Sequence, residues 1–572
     1  MILRKLAGFA KPSNAIILAI IFLITLALFA FEILPGFDEI NPYDETKYVD
    51  SGRSLLSGDV RELAWGPLVA FLYAPLYLIF RDSPDWFIII DGIGRLLLFS
   101  ALWISSIYVA FCLKRYVHPV VVAGVLLCSS YPIWLLRNPS DALFSSFSAL
   151  ALGKTLSFKQ TGRRRDLAAA SIMIGLAGAS RPDGVFLLPF FAGIAIWIGR
   201  KPIGLGRSVA LSILPALALL AAFVIARGIS TGNFSTEIGN KGLNTLYWSE
   251  TVSPQEVQAE DVYGSWTENS GSFMRAVSRS PEAFLAFLSR VRQNASRLPH
   301  AFLEAYGKRL GPAMFILAAF GVYSLVKSRE RSILLIFCLW PLYSLLYLGF
   351  YLRPGFLLLS HFVLLSLSAA GASYSFSRSR SPRERIFIAA PALLLCVYGL
   401  IDGKPAFWAA GFLLFAALIL AWISFSVQHQ AAVPGAGGLL PLLAAGIILR
   451  GGYSFPGGWP IGHSSMERAI HFLQERLPAR SVLAAGEPLP AVAANLEFVE
   501  LSDLPTEGDP IENFRAWVTG NHVKALYVGP GFIRNNPDQW EVIQGNFGST
   551  IELVRVFDPG SIRILLIAGS IP

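Results

Sequence analysis

The sequence predicts a polytopic α-helical membrane protein with about thirteen spans and a small extracytoplasmic C-terminal α/β domain. Of its 572 residues, 54% are hydrophobic and only 15% are charged, and the mean hydropathy is +0.54, values far from those of soluble domains. The loops between apolar runs alternate between basic and nearly uncharged, and the end of the chain changes to short β-rich runs. We therefore expect a transmembrane domain at residues 1–450 and an α/β domain at residues 451–572.

The first apolar run, residues 15–34, is expected to be a retained membrane anchor. It follows Arg4, Lys5 and Lys11, as the apolar core of a signal peptide would, but no small-residue cleavage site comes after it. The amino terminus is then expected in the cytoplasm.

The basic loops are expected to face the cytoplasm, because positively charged loops are retained on that side of a membrane. They spread the net charge of +9 over several places, which gives no continuous stripe for a nucleic acid. Their basic residues are Lys114, Arg115, Lys159, Arg163, Arg164, Arg165, Arg200, Lys201, Arg207, Lys327, Arg329, Arg331, Arg378, Arg380, Arg383 and Arg385.

The apolar segment at residues 66–80, GPLVAFLYAPLYLIF, is expected not to cross the membrane. It is shorter than the ~20 residues that a span needs, and it contains Pro75. If it crossed, every later basic loop would move to the outside. It is therefore expected to lie in the outer interface, with residues 37–86, about 228–308 and those after 450 outside the cytoplasm.

The carboxyl-terminal region is expected to contain β-strands within residues 481–486, 524–529 and 561–569, where the runs are short and their pattern is typical of strands. Helical or loop-like stretches separate them, which is typical of an α/β domain. The Gly- and Pro-rich stretch at residues 451–462 is its predicted linker.

An acidic stretch follows the first apolar run: NPYDETKYVDSGRSLLSGD, at residues 41–59. Asn41 can cap a helix in which Asp44 and Glu45 occupy the first turn, and Gly58 can end it. Carboxylates in a first turn complement the helix dipole, so a structural explanation is open beside a functional one.

Further ionisable residues are expected at the same outer side. Asp141 lies in RNPSDALF, and Arg181 and Asp183 lie in SRPDG, each at the outer end of a predicted span. Ionisable groups at a membrane boundary are costly unless they are paired or functional. Asp141 could instead cap a helix behind Pro139, and Arg181 could pair with Asp183.

Together these stretches resemble the GT-C class of polyprenyl-phosphate-sugar-dependent glycosyltransferases. The closest branch contains the lipid A aminoarabinose transferase and the protein O-mannosyltransferases. The resemblance rests on residues 44–59 as the first outer loop, the interfacial segment after it, PSDALF, GLAGASRPDGVFLLP (residues 175–189) and YLRPGFLLLSHFVLLSLSAAG (residues 351–371). It covers the membrane part well and the C-terminal domain in outline.

The resemblance implies a GT-C-like membrane domain that transfers a sugar from a polyprenyl-phosphate donor to a lipid, glycan or protein acceptor. Asp44 matches the family's catalytic aspartate, Glu45 its acidic neighbour, and Asp141 the second-loop aspartate near the acceptor. The active site would face outward from a bacterial or archaeal cytoplasmic (inner) membrane. An acceptor hydroxyl needs a base, and Asp44 would supply it.

One departure from the family concerns the donor phosphate. The aminoarabinose branch has Glu-Lys-Pro before the interfacial segment, and its lysine contacts that phosphate, whereas this chain has AWGP at residues 64–67. The phosphate is then expected to be held by Arg181 or Arg353, since guanidinium bonds phosphate through two parallel hydrogen bonds.

Neither a metal nor a cofactor is expected. His300, His361 and His463 are scattered along the chain, and the four cysteines lie in or beside apolar segments without metal-site spacing.

Two other function classes stay open. A multi-span transporter is the main one, although transporters place charge near the middle of the bilayer rather than at one face. The other is a non-catalytic subunit of an envelope polysaccharide assembly complex, against which the presence of both Asp44 and Asp141 argues mildly.

Overall fold

A computed structural model places most of the chain in helices, with a mixed sheet near the carboxyl end. The described residues are 12–28, 33–34, 40, 44–58, 67–113, 116–117, 119–127, 135–136, 138–231, 281–302, 305, 312–349, 357–375, 465–557 and 562–567. The predicted linker at residues 451–462 and any spans within residues 376–464 lie outside them.

The helices of the first part are α1 (Pro12–Leu28), α2 (Asp44–Leu56), α3 (Pro67–Phe80), α4 (Trp86–Cys112), α5 (Pro119–Leu127), α6 (Pro139–Thr161), α7 (Arg164–Ser180), α8 (Leu187–Gly199) and α9 (Leu205–Thr231), with a 3-10 turn at Pro182–Phe186. They are followed by α10 (Pro281–Phe302), α11 (Pro312–Lys327), α12 (Arg331–Leu339), a 3-10 segment at Trp340–Gly349, and α13 (His361–Ser375).

The C-terminal domain contains α14 (Ser465–Arg476), β1 (Val482–Ala485), α15 (Leu489–Ala493), β2 (Glu497–Glu500), α16 (Pro510–Gly520), β3 (Val523–Val528), α17 (Pro530–Asn535), α18 (Pro537–Gly545), β4 (Ile551–Phe557) and β5 (Ile562–Ile567), with a 3-10 turn at Leu501–Asp503.

These elements form two compact units. The first contains α1, the part of α4 from Leu97 onward, and α5 to α13. The second contains α2, α3, the part of α4 before Leu97, and α14 to β5. The C-terminal domain therefore belongs to the same unit as the acidic helix α2.

Helices of the first unit carry large apolar side chains on their outer faces, as lipid-facing helices do. Leu23 on α1 and Leu214 and Ile225 on α9 are all more than half exposed. Among the described helices, Trp86–Cys112 and Leu205–Ala226 are long and apolar enough to cross a bilayer by length and composition. The number of spans stays a prediction.

Close packing between helices of this unit depends on small residues. A Cβ on Gly321 of α11 would collide with the backbone of Leu367 on α13, and one on Gly371 would collide with the backbone of Leu317. Glycine at both positions lets the two helices cross in backbone contact, a common way for membrane helices to associate.

Pro215 interrupts the hydrogen bonding of α9, and a serine on α7 bridges the break. The Ser171 hydroxyl donates to the Ser212 carbonyl at 2.8 Å and accepts from the Ala216 N–H at 3.1 Å. The helix thus keeps these backbone groups satisfied without water.

In the second unit, α3 covers much of the segment that the sequence places in the interface. It has 14 residues, about 21 Å of helix, which is short of the ~30 Å of a hydrocarbon core. Val69, Ala70 and Tyr73 are buried on one face, while Leu78 and Ile79 are exposed. This length favours the prediction that the segment does not cross the bilayer. Its position relative to a bilayer stays a prediction.

The sheet has strand order β2-β1-β3-β5-β4. β1 pairs parallel with β2 and β3, and β5 pairs antiparallel with β3 and β4. The three strands predicted from the sequence, β1, β3 and β5, are confirmed and form its centre. The edge strands β2 and β4 were not predicted. Leu526 and Leu565 are fully buried in a core that helices α16 and α18 also contact.

Candidate functional site

The acidic helix α2 is held by a buried ion pair. Glu45, in its first turn, is fully buried, and its Oε1 accepts a hydrogen bond from Arg95 Nε at 2.8 Å. Arg95 Nη2 lies 2.5 Å from the same oxygen. Arg95 belongs to α4 and is only 2% exposed. The guanidinium thus fixes the amino-terminal end of α2 against the start of α4.

A second carboxylate shares this arginine. Asp91, one turn before Arg95 on α4, is fully buried and lies 2.9 Å from Arg95 Nε through its Oδ2. When both carboxylates are ionised, the group formed by Glu45, Asp91 and Arg95 carries a formal net charge of −1. Such a group is costly to bury and depends on its cation.

Close packing against Tyr73 of α3 completes this cluster. A Cβ on Gly52 of α2 would lie 2.7 Å from the Tyr73 backbone carbonyl carbon, and one on Gly94 of α4 would lie 2.5 Å from the Tyr73 ring. Both glycines therefore let Tyr73 sit between α2 and α4. Gly58, with φ of 79°, lies just past the end of α2, as the sequence predicts.

Asp44 is the first residue of α2, directly before Glu45. Its side chain, together with Asn41 and Arg353, lies outside what the structure describes. The backbone position of Asp44 is nevertheless fixed by the pairing of its neighbour. The role of Asp44 as a base and of Arg353 as a phosphate ligand stay predictions.

In the first unit, Asp141 and Arg181 form an ion pair through Asp141 Oδ1 and Arg181 Nη1. Asp141 lies in the first turn of α6, and Arg181 caps the end of α7. Their side chains are 9% and 11% exposed. The sequence brought both forward as candidates and offered a pair of Arg181 with Asp183 as a structural alternative, which stays untested because the side chain of Asp183 lies outside the described residues.

The turn after α7 positions Arg181. Gly184 in that turn packs on Phe144 of α6, where a Cβ would lie 2.9 Å from the ring. The Arg181 N–H donates to the Ala177 carbonyl at 3.3 Å, and this hydrogen bond closes the last turn of α7. One turn further along α6, the Ser145 hydroxyl donates to the Leu359 carbonyl at 3.0 Å. The start of α6 is thereby tied to the turn before α13.

Asp91 and Arg95 were missed by the sequence analysis. A signal was present: an acidic and a basic residue four positions apart inside an apolar run can share one helix face, and charges within such a run are expected to pair or function. Of the histidines considered for a metal, His361 is buried with its Nδ1 2.8 Å from the Leu358 carbonyl, and His463 lies outside the described part of the chain.

No protein-family model and no curated protein matches this sequence. Solved structures do match the fold. The chain is similar to the crystal structure of ArnT from Cupriavidus metallidurans in the apo state, with a TM-score of 0.55 at 12% identity, covering 98% of this chain and 100% of that chain. It is also similar to the archaeal oligosaccharyltransferase AglB from Archaeoglobus fulgidus in complex with an inhibitory peptide and a dolichol-phosphate, with a TM-score of 0.51 at 13% identity over 98% of this chain and 75% of that chain.

These similarities extend over nearly the whole chain and confirm the expected architecture in its coarse form. The chain is mostly helical, resembles GT-C membrane glycosyltransferases, and carries a small mixed α/β sheet near its carboxyl end. At identities this low the similarity concerns the fold, while chemistry has to be argued from the residues.

Proposed function

We propose that the chain is an integral-membrane glycosyltransferase that moves a sugar from a polyprenyl-phosphate donor to an extracytoplasmic lipid, glycan or protein acceptor. The observation that carries this proposal is the end-to-end similarity of its fold to ArnT. The AglB structure, in complex with a dolichol-phosphate, supports a lipid phosphate as the donor's carrier. The proposed site is the outer face of a bacterial or archaeal cytoplasmic membrane.

Asp44 is the proposed general base. The acceptor hydroxyl gives its proton to the Asp44 carboxylate, and its oxygen forms a bond to the anomeric carbon of the sugar. The bond between that carbon and the phosphate oxygen breaks, and the lipid phosphate leaves with the bonding electrons. No metal or cofactor enters this scheme.

Glu45 has a different proposed role. Its carboxylate is fully buried on Arg95, so it is poorly suited to meet a substrate and well suited to hold α2. Glu45, Asp91 and Arg95 are therefore proposed as positioning residues for Asp44, which is the first residue of the same helix α2.

Arg181 is the proposed ligand of the donor phosphate, with Arg353 as the second candidate. The guanidinium of Arg181 is held by its ion pair with Asp141, and a guanidinium can bind phosphate through two parallel hydrogen bonds. Asp141, placed near the acceptor by the resemblance, would then also orient Arg181. Because Asp141 would already orient the Arg181 guanidinium, less conformational freedom would be lost when the donor phosphate binds.

Arg181→Lys is expected to raise the donor concentration for half-maximal rate by about tenfold or more, the effect of losing a charge-assisted hydrogen bond. Lysine keeps the positive charge beside Asp141, so the variant should still fold. Its unfolding midpoint should therefore be close to that of the unmodified protein. Arg200→Lys, at the exposed end of α8, is the matched control. If Arg181→Lys and Arg353→Lys both leave the apparent donor affinity unchanged, other groups hold the phosphate.

The activity itself is tested by incubating the purified protein with a panel of polyprenyl-phosphate sugars and with membrane lipids, glycans or peptides. Mass spectrometry should show a sugar on one acceptor class and the free lipid phosphate in equal amount. Reconstituted vesicles distinguish the transporter alternative, which would move a substrate across the bilayer intact. Movement without any transfer across the whole panel would contradict the proposal.

A further inference from the structure

Three side chains with metal-binding atoms meet in the second unit, on elements other than the acidic helix α2. Asp85 lies in the turn between α3 and α4, and Glu467 and His471 lie on α14. Their candidate ligand atoms all lie within 4.8 Å of one another. Within the described part of the chain, no other group of three acidic, histidine or cysteine side chains brings its ligand atoms this close together.

The local structure explains why the three side chains converge. Glu467 and His471 are four positions apart on α14 and so lie on one face of the helix. The turn at Asp85 is fixed because the Ile89 N–H donates to the Asp85 carbonyl at 3.1 Å and starts α4. One turn beyond His471, Gln474 donates to the Pro84 carbonyl at 2.9 Å. Two successive turns of α14 are thus docked on the same short segment.

We propose that Asp85, Glu467 and His471 form a binding site for one divalent transition-metal ion, with Zn²⁺ as the best fit. One imidazole nitrogen and two carboxylate oxygens are donors that Zn²⁺ accepts, and a water would complete four-coordination. All three side chains are half-buried, so an ion could enter from solvent. The proposal does not depend on the glycosyltransferase activity.

The distances require only small movements. His471 Nε2 and Asp85 Oδ1 are 2.9 Å apart, whereas two ligands on a tetrahedral Zn²⁺ are separated by about 3.3 Å, given bond lengths near 2.0–2.1 Å. The ion would open this contact by a few tenths of an ångström and draw Glu467 inward. Rotation of half-exposed side chains allows this.

A simple ion pair between His471 and Asp85 is the competing explanation. It would use the 2.9 Å contact and would leave the stability of the protein unchanged when metal is added. Glu467→Gln therefore separates the two explanations, because it keeps the size of the side chain and the His471–Asp85 contact and removes the negative charge of one proposed ligand.

The test uses the full chain in detergent, with its affinity tag removed and metals stripped by a chelator. Calorimetric titration with Zn²⁺ should give one ion per chain, and Zn²⁺ but not Mg²⁺ should raise the unfolding midpoint, because a ligand that binds only the folded state stabilises it. Substitution with Co²⁺ should give the visible absorption of a four-coordinate ion. Glu467→Gln and His471→Ala should each weaken binding by at least about tenfold.

Two matched variants serve as controls. Glu475→Gln changes an exposed carboxylate on the same helix, and His522→Ala removes an exposed histidine elsewhere in the domain; both should bind Zn²⁺ as the unmodified chain does. The proposal is overturned if no saturable binding occurs, or if Glu467→Gln and His471→Ala bind as tightly as these controls. A loss of stability in His471→Ala with no effect of Zn²⁺ on any variant would leave the ion pair as the explanation.

Discussion

Replacing Asp44 with asparagine is expected to lower turnover by at least about 10²-fold, within the usual range for the loss of a general base. Asparagine has the size and polarity of aspartate but cannot take the acceptor's proton. Glu45, Arg95 and Asp91 stay as they are in this variant, so the position of α2 should be kept. The measurement is the rate of sugar transfer at saturating lipid-linked donor, together with the apparent donor affinity, which should change little.

Asp50→Asn makes the same chemical change two turns along the same helix and serves as the matched control. Asp50 pairs with Arg53 at 2.7 Å on a partly exposed face, so its loss should have only a small effect on rate. Glu45→Gln should lower the rate less than Asp44→Asn, because Glu45 is proposed to act through position. Equal turnover of Asp44→Asn and the unmodified protein would return Asp44 to a purely structural role at the start of a helix.

Arg95→Met is expected to destabilise the folded protein by roughly 3–5 kcal/mol, the typical cost of removing one partner from a buried ion pair. Methionine approximates the aliphatic part of arginine, but it leaves Glu45 and Asp91 with no cation between them in a fully buried place. The free energy of unfolding in mixed detergent micelles measures the effect. Arg81→Met is the control, since Arg81 lies 3.8 Å from Asp82 on an exposed surface and should change stability little.

A combined variant tests whether charge or packing causes the loss. Adding Glu45→Gln and Asp91→Asn to Arg95→Met removes both buried charges while keeping the side chains nearly the same size. Most of the stability should then return, because neutral groups are far less costly to bury than unbalanced carboxylates. A triple variant no more stable than Arg95→Met alone would show that packing around Arg95, rather than its charge, holds the cluster.

Local signals in the sequence predicted much of the fold. The helix at Asp44–Leu56 and its end before Gly58 follow from an acidic first turn and a glycine in the left-handed conformation. β3 and β5 were predicted because they are continuous apolar runs. β2 is only four residues long with glutamate at both ends, and β4 carries Arg555 beside a shift in pairing register. An edge strand buries less apolar surface than a central strand, so the apolar pattern in its sequence is weaker and the strand is harder to predict.

The partners within the candidate site could not be predicted in the same way. The candidates Asp141 and Arg181 were found, but their pairing with each other was not predicted: the structural alternative considered for Arg181 was its neighbour Asp183, and the turn at Gly184 brings Arg181 to Asp141. Arg95 meets Glu45 across fifty positions. Sequence shows which residues are costly to bury; tertiary packing decides which ones meet.

The shared unit of α2, α3 and the C-terminal domain has a consequence for the order of events during synthesis. Arg53 on α2 donates to Asn495 at 3.2 Å across 442 positions, and His471 meets Asp85 across 386. Contacts so distant along the chain form only after both ends exist. The acidic helix and the turn at Asp85 therefore stay without these contacts while the ribosome makes the intervening segments, and their final environment assembles only when the last domain has been made and has folded. A chain truncated before Ser465 would never complete this environment, however well its membrane helices inserted.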